Sequence, residues 1–464
     1  MVSDMEKTVI GEIWSSNEAY ENLIHMCDEF GSRFAGTEGE KPAAEYMAKK
    51  LREYGLEKVA LDDFKYIGWK RGEAKLELLS PREEELYTQS LALSPPTESG
   101  GLEGDIIFLG PGYPELFLEK EDEIQGKIVL CTSQPRPSGV MVHRRTKYGY
   151  AVKLGATGFI FVNHNLGQLM PTGSLRPGYR MSGEIPGIGV SWETGSYLIR
   201  MLEEGPARVR ITTTDTVTPD TVSWNVVGEI PGTTLKDRVI LVGAHYEGHD
   251  IAVGALDDGA GAVVIMEAAR ALAKHKAAFK RTIRFICFAA EEIGVTGSTC
   301  YADKHRDELD TIDLMINCDG AGRAKDHVYR VSGPDPLIDY LQSLVDNINY
   351  QMKVTRSSST ASDHWPFYLQ GIPATSLSSY RSPAEVARVG RGWTHTSADT
   401  IDKVNPKYLK DAALVLAQSL IHLAKEPGEI AERTPPEEIV KRLEENGIAD
   451  ILKIQLKWHP ESIR

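Results

Sequence analysis

Residues 239–258 read VILVGAHYEGHDIAVGALDD: an apolar run that ends at His245 and is followed by a paired acid, Asp257 and Asp258. A short apolar run without alternation is the pattern of a strand buried on both faces of a parallel sheet. The segment MEAARALAKH that follows has helical spacing, so the histidine and the acids lie at a strand end ahead of a helix. In open α/β sheets ligands bind beyond the carboxyl ends of the strands. Two further strand ends carry similar residues: TIRFICFAA runs into Glu291 and Glu292, and DLMIN runs into Cys318, Asp319 and Gly320. The polar loop GWTHTSADT adds His395. Two histidines and several carboxylates, with no thiolate needed, suit zinc, with manganese or cobalt as alternatives. Each residue also has a plainer use, since an Asp before a helix caps its first amides and paired glutamates are often only solvated. The coincidence of three successive strands that each end in an acid or a histidine favours a metal site.

Taken together, AHYE, GALDDGAG, FAAEEIGVTGS, INCDG and THTSADT resemble the motifs of the di-zinc aminopeptidase and carboxypeptidase family, which includes bacterial leucyl aminopeptidase and plasma glutamate carboxypeptidase. The resemblance extends over nearly the whole chain. It implies two zinc ions (cobalt or manganese as substitutes), with His245 and Asp319 on one, Glu292 and His395 on the other, Asp257 bridging them and Glu291 as general base. Adjacent glutamates at a strand end point in different directions, so one can bind metal while the other stays free to take a proton. In relatives a cis peptide follows the bridging acid. This sequence also departs from the pattern. Glu247 stands where relatives have an Asp that orients the first histidine, and Thr360 stands where the bacterial enzyme has a tyrosine that stabilises the oxyanion. His249 and Asp250 are extra polar residues, expected to lie around the ligands or at the surface rather than to coordinate.

The implied activity is that of a metallo-aminopeptidase acting on peptides, because a site crowded with carboxylates favours the cationic α-amino group of a substrate. Arg381, Arg388 and Arg391 precede His395 and could instead clasp a free α-carboxylate, as a carboxypeptidase or dipeptidase requires. A single-zinc glutaminyl cyclase and a receptor-like protein that has lost catalysis are the remaining alternatives. Retention of a free base beside five ligands argues against the last.

The elements that position these residues read as an α/β fold, a mixed and mostly parallel sheet flanked by helices, formed by residues 1–91 and 221–464. Helical segments SNEAYENLIHMCDEF and EKPAAEYMAKKLREYG lead to an edge strand near 57–64, and NVVGEIPG is expected to form a hairpin with RVILVGA. Residues 92–220 contain short strands between Pro and Gly turns and resemble an inserted, β-rich protease-associated domain. It carries none of the ligand motifs and is expected to shape access to the site; the plainer reading is an elaboration of the main sheet. Of 464 residues, 41% are hydrophobic, and 52 basic against 66 acidic residues leave a net charge of −14, which disfavours nucleic acid and anionic membranes as partners. No apolar run approaches the ~20 residues needed to span a membrane, and the simplest expected location is the cytoplasm. Five cysteines without a CxxC pair fit reduced, buried thiols. A homo-oligomer is left open.

Overall fold

The computed structural model describes residues 3–348, 350–357 and 359–463. The main sheet has eight strands in the order Glu57–Lys70, Thr216–Ile230, Arg281–Phe288, Leu235–His245, Ile312–Asn317, Ala374–Ser379, His327–Ser332 and Lys353–Arg356. Its centre is parallel: Leu235–His245 pairs in parallel with both Arg281–Phe288 and Ile312–Asn317, and the latter pairs in parallel with Ala374–Ser379. The expected α/β architecture is therefore present.

Strand side chains alternate between faces, and here both faces are covered. Ile240, Val242 and Ala244 pack with Ile283, Phe285, Leu314 and Ile316 beneath the helices Ala260–Ala273 and Pro406–Lys425. Val239 and Leu241 point the other way, to Ile286, Phe288, Met315 and the C-terminal Ile439 and Leu443. Double coverage is why these strands read as unbroken apolar runs. The last helical region divides into Pro436–Glu445 and Ile448–Ile454 at Gly447, whose φ of +67° lies outside the helical range.

The expected hairpin between NVVGEI and RVILVGA is not formed. Arg281–Phe288 lies between the two strands, antiparallel to Thr216–Ile230 and parallel to Leu235–His245. The four-residue link instead crosses the start of that intervening strand: Gly232 N–H donates to Thr282 Oγ1 (3.0 Å) and Thr233 N–H to the Phe279 carbonyl (3.0 Å).

A second eight-stranded mixed sheet runs from Glu84–Leu86 through Ala74–Ser80, Arg208–Thr213, Leu102–Phe108, Ile128–Thr132, Gly158–Val162 and Gly187–Val190 to Gln89–Ser90. It opens at Ala74 and closes at Thr213, whereas the sequence suggested a boundary at 92 and 220. The difference arises because the long strands Glu57–Lys70 and Thr216–Ile230 pair along their length and carry the chain out and back as a ribbon. The ribbon is closed where Gly72 N–H donates to Asp215 Oδ1 (2.9 Å) and Glu73 N–H to Thr214 Oγ1 (2.8 Å). Among the described residues no helix is long and apolar enough to cross a membrane, and all five cysteines are free.

Under the parallel strands Arg281 and Asp313 form a buried ion pair (Nε–Oδ2 2.6 Å, both side chains 2% exposed), with Arg238 Nε on the other carboxylate oxygen at 2.6 Å. Removing one partner of a buried pair strands the other charge. Asp313→Ala is expected to destabilise the fold by about 3–5 kcal/mol, read from denaturant unfolding; a loss below about 1 kcal/mol is the size of an exposed, screened pair and would contradict this.

Candidate metal centre

The carboxyl ends of three neighbouring strands converge. His245 is the last residue of its strand and pairs in register with Phe288, so Glu291 and Glu292 leave the adjacent strand beside it. Ala290, just before them, has a left-handed φ of +57°, a conformation that non-glycine residues adopt mainly where the surroundings enforce it. On the other side Asn317 pairs with Gly243, which brings Asp319 to the same edge.

Asp257 and Asp258 divide the two roles open to an acid pair. The peptide between them is cis. Asp258 Oδ1 accepts from Gly261 N–H (3.2 Å) at the start of the helix and from Gly320 N–H (3.0 Å), which ties the motif to the Asp319 loop. Asp257 faces the centre: Oδ1 lies 3.4 Å from His245 Nε2, and Oδ2 lies 3.3 Å from His395 Nε2. Glu292 Oε2 is 3.2 Å from His395 Nε2 and 2.9 Å from His249 Nε2. Asp319 Oδ2 accepts from Ser362 Oγ at 2.7 Å.

The structure thus brings together His245, Asp257, Glu292, Asp319 and His395, with Glu291 next to them. Three groups have ligand atoms all within 4.8 Å of one another: His249, Glu292 and His395; His245, Asp258 and Asp319; and His245, Asp257 and Glu292. A tetrahedral ion with bonds of about 2.0–2.1 Å sets its ligands about 3.3–3.4 Å apart. The 3.2, 3.3 and 3.4 Å separations around Glu292, Asp257 and the two imidazoles match such edges. Among the described residues, Asp257 Oδ2, Asp258 Oδ2, Glu292 Oε1 and His249 Nδ1 are buried without a hydrogen-bond partner. Buried polar atoms are rarely left so. The donor set fits divalent cations.

Local contacts orient the candidate ligands. His245 Nδ1–H donates to the Glu247 main-chain carbonyl (3.1 Å), while the Glu247 carboxylate stands 3.7 Å away. That carboxylate is used instead by Glu292 N–H, which donates to Oε1 at 3.1 Å. His395 Nδ1–H points to the Thr172 carbonyl of the second sheet's region (3.3 Å), and Thr172 N–H donates to the His395 carbonyl (2.9 Å). Fixing Nδ1 in this way presents Nε2 to the centre. The inserted region thus contributes no member of the three ligand groups but positions one of them.

Electrostatics separate the two glutamates. Burial pushes the Glu291 carboxyl up to about 8, with Glu292 and Asp319 adding to the rise and His245 opposing it. Glu292 is held well below the usual carboxylate range, because His249 and His395 overcome the burial that opposes ionisation. Asp257 is also lowered against burial, by Arg323, His245 and His395, while burial and the Asp319 charge raise Asp258. Burial pushes the His249 imidazole down to about 4.

Several participants escaped sequence reasoning. Arg323 Nη2 lies 2.7 Å from Asp257 Oδ1 and 3.0 Å from Asp319 Oδ1; its position four residues after Asp319 was the only available sign. Asp399, in the THTSADT segment, holds the Leu256 and Asp257 amides at 2.7 and 3.0 Å. Lys457, from the C-terminal tail, is buried and donates to the Thr360 carbonyl (2.7 Å). Of the three arginines before His395, Arg391 Nη1 lies 3.0 Å from His395 Nε2, Arg381 donates to the Gly390 carbonyl (2.7 Å), and Arg388 is exposed.

Comparison with known proteins agrees with this architecture. Residues 225–420 match Peptidase family M28, and residues 91–198 match the PA domain. The chain is 30% identical to carboxypeptidase Q of Xenopus laevis over 313 residues, which cover 66% of this chain and 65% of that protein. It is 26% identical to aminopeptidase YwaD of Bacillus subtilis (strain 168) over 427 residues, 89% of this chain and 86% of that one. In fold it is similar to BSAP, a zinc aminopeptidase from Bacillus subtilis, with a TM-score of 0.69 at 24% identity over 90% of this chain and 97% of the other. With a parallel sheet whose strand ends gather acids and histidines, the chain is similar to peptidase family M28 over residues 225–420 and to the PA domain over residues 91–198.

Proposed function

We propose that this chain is a metal-dependent exopeptidase that removes residues from the N-terminal end of peptides, with Glu291 as general base. Two divalent cations, zinc in the first instance, would be held by His245, Asp257 and Asp319 on one side and by Asp257, Glu292 and His395 on the other. The observation that carries this reading is the two-sided placement of Asp257, one oxygen toward His245 and the other toward His395, with Glu291 outside all three ligand groups. When bound, a pair of such cations polarises the scissile carbonyl and lowers the pKa of water from ~15.7 toward ~7. The Glu291 carboxylate takes a proton from the attacking water and passes it to the leaving amine. The buried carboxylates make the centre a negative field that draws in the substrate's α-ammonium group. Thr172 keeps the His395 ring in one tautomer throughout.

A second reading is favoured by one cavity. About 510 Å³ of space beside Asp319 is lined by Arg323, Arg330, Arg381 and Arg391. Arg330 and Arg381 have no carboxylate partner within ion-pair distance among the described residues, although burial lowers the pKa of both. Guanidinium groups so placed bind carboxylates in two-point fashion, as a carboxypeptidase or dipeptidase would need. Peptides with an amidated C-terminus are expected to be hydrolysed and N-acetylated peptides spared, as measured by product analysis. The reverse pattern, sensitive to Arg381→Gln, moves the assignment to a carboxypeptidase, and hydrolysis of dipeptides alone to a dipeptidase. Arg381 suits this test better than Arg391, which touches His395.

A further inference from the structure

His249 lies in the loop between His245 and Asp257, outside the five-residue ligand set that the family resemblance implies. Its side chain is 2% exposed, and its Nε2 stands 2.9 Å from Glu292 Oε2. Its ring meets the His395 ring edge to face, with centroids 4.5 Å apart, and the Phe34 ring at 5.8 Å. Nε2 is thus in contact with the Glu292 carboxylate, while Nδ1 has no hydrogen-bond partner among the described residues. Leaving a buried donor or acceptor unsatisfied costs about 1–3 kcal/mol, so a solvated surface position would be preferred unless something at the centre engages the ring.

The loop is built to keep the ring inside. Arg71 holds Asp250, the next residue, through two bonds of 2.7 Å, and its Nη2 also reaches Thr172 Oγ1 at 3.1 Å. Gly248 N–H donates to the Ser32 carbonyl (2.8 Å), and the His249 carbonyl accepts from Ala252 N–H (3.1 Å). The loop closes on itself at Gly248, where an added Cβ would meet the Gly254 Cα at 2.3 Å. Both flanks of the histidine are therefore fixed, and the ring points at Glu292 and His395.

We infer that His249 is a sixth protein ligand, which completes the cation site formed by Glu292, His395 and Asp257. This rests on the metal-site reading above but not on the peptidase activity assigned to it. The two sites then differ in kind, with two imidazoles on one side and a single imidazole, His245, on the other. Nitrogen-rich sites favour zinc, cobalt, nickel and copper over manganese and magnesium. The His249 side is accordingly the more selective of the two.

The test is a binding measurement. Metal-stripped full-length protein is titrated with Co2+ against a competing chelator, with the visible absorption of the bound ion followed in wild type, His249→Ala and His249→Gln. The expected result is that one of two ions loses affinity by about 100-fold or more and that its absorption changes, while the other ion is unaffected. Wild-type affinity and spectrum for both ions in the variants would overturn the inference. So would a loss below tenfold with an unchanged spectrum, which is the behaviour of a neighbour that only positions Glu292. Should the variants not fold, X-ray absorption at the cobalt edge of the wild type decides: three histidines over two ions support the ligand role, and two refute it. A wild type that binds no Co2+ overturns both this inference and the metal site. Tight, His249-dependent binding without peptide hydrolysis overturns only the proposed activity.

Discussion

Glu291→Gln is expected to keep both cations and lose turnover by about 10²–10⁴-fold, the range a positioned acid–base group contributes. Glutamine preserves the shape of the side chain but cannot accept the proton. Glu292→Gln, one residue on, is expected to lose metal as well, because its Oε2 lies 3.2 Å from His395 Nε2 and faces the shared centre. Elemental analysis beside steady-state kinetics checks both variants, and equal loss of metal would contradict the separate roles. A pH dependence follows with a defined sign. A base must be ionised to act, so kcat/KM falls as the pH drops through the pKa of Glu291. Burial pushes that carboxyl up to about 8. Cationic charge nearby favours the carboxylate, so the acid limb lies below 8 in the loaded protein and is absent in Glu291→Gln.

Chelation is expected to abolish activity, and Asp257→Asn to reproduce that loss by weakening both ions together. Among the described residues, Asp257 is the one side chain whose two oxygens face different histidines, at 3.4 and 3.3 Å. His395→Ala and Asp319→Asn, by contrast, are each expected to remove one ion. Active protein with a single ion per chain, and His395→Ala with that occupancy unchanged, would exclude the two-ion reading. Arg323 also faces these carboxylates, with Nη2 2.7 Å from Asp257 Oδ1 and 3.0 Å from Asp319 Oδ1.

The inserted region has a closer connection to the centre than an access role alone. The Thr172 carbonyl faces His395 Nδ1, so excising the insert would free the ring to flip as well as widen the cleft. A change in selectivity after excision would therefore report both effects.

What the sequence determined by itself is local. Doubly buried strands show as apolar runs because both faces are covered, and the residues following each run must lie at a strand's carboxyl end. His245, Glu291, Glu292 and Asp319 could be placed at one edge of a sheet for that reason, and a paired acid ahead of a helix could be recognised for Asp257 and Asp258. Tertiary structure decided what those ends meet. Strand order placed Arg281–Phe288 between two segments that sequence adjacency alone would have paired as a hairpin. Only chain folding brings His395 to Asp257 and Glu292, or sets Thr172 behind its ring, because such contacts join residues with no shared periodicity. The boundary of the second sheet was hidden because Glu57–Lys70 and Thr216–Ile230 continue as one ribbon without a change of composition. His249 was expected around the ligands or at the surface, because a polar residue in a loop does not itself say which way it faces. The Arg71–Asp250 pair and the close approach of Gly248 to Gly254 turn it inward, and neither contact can be read from neighbouring residues.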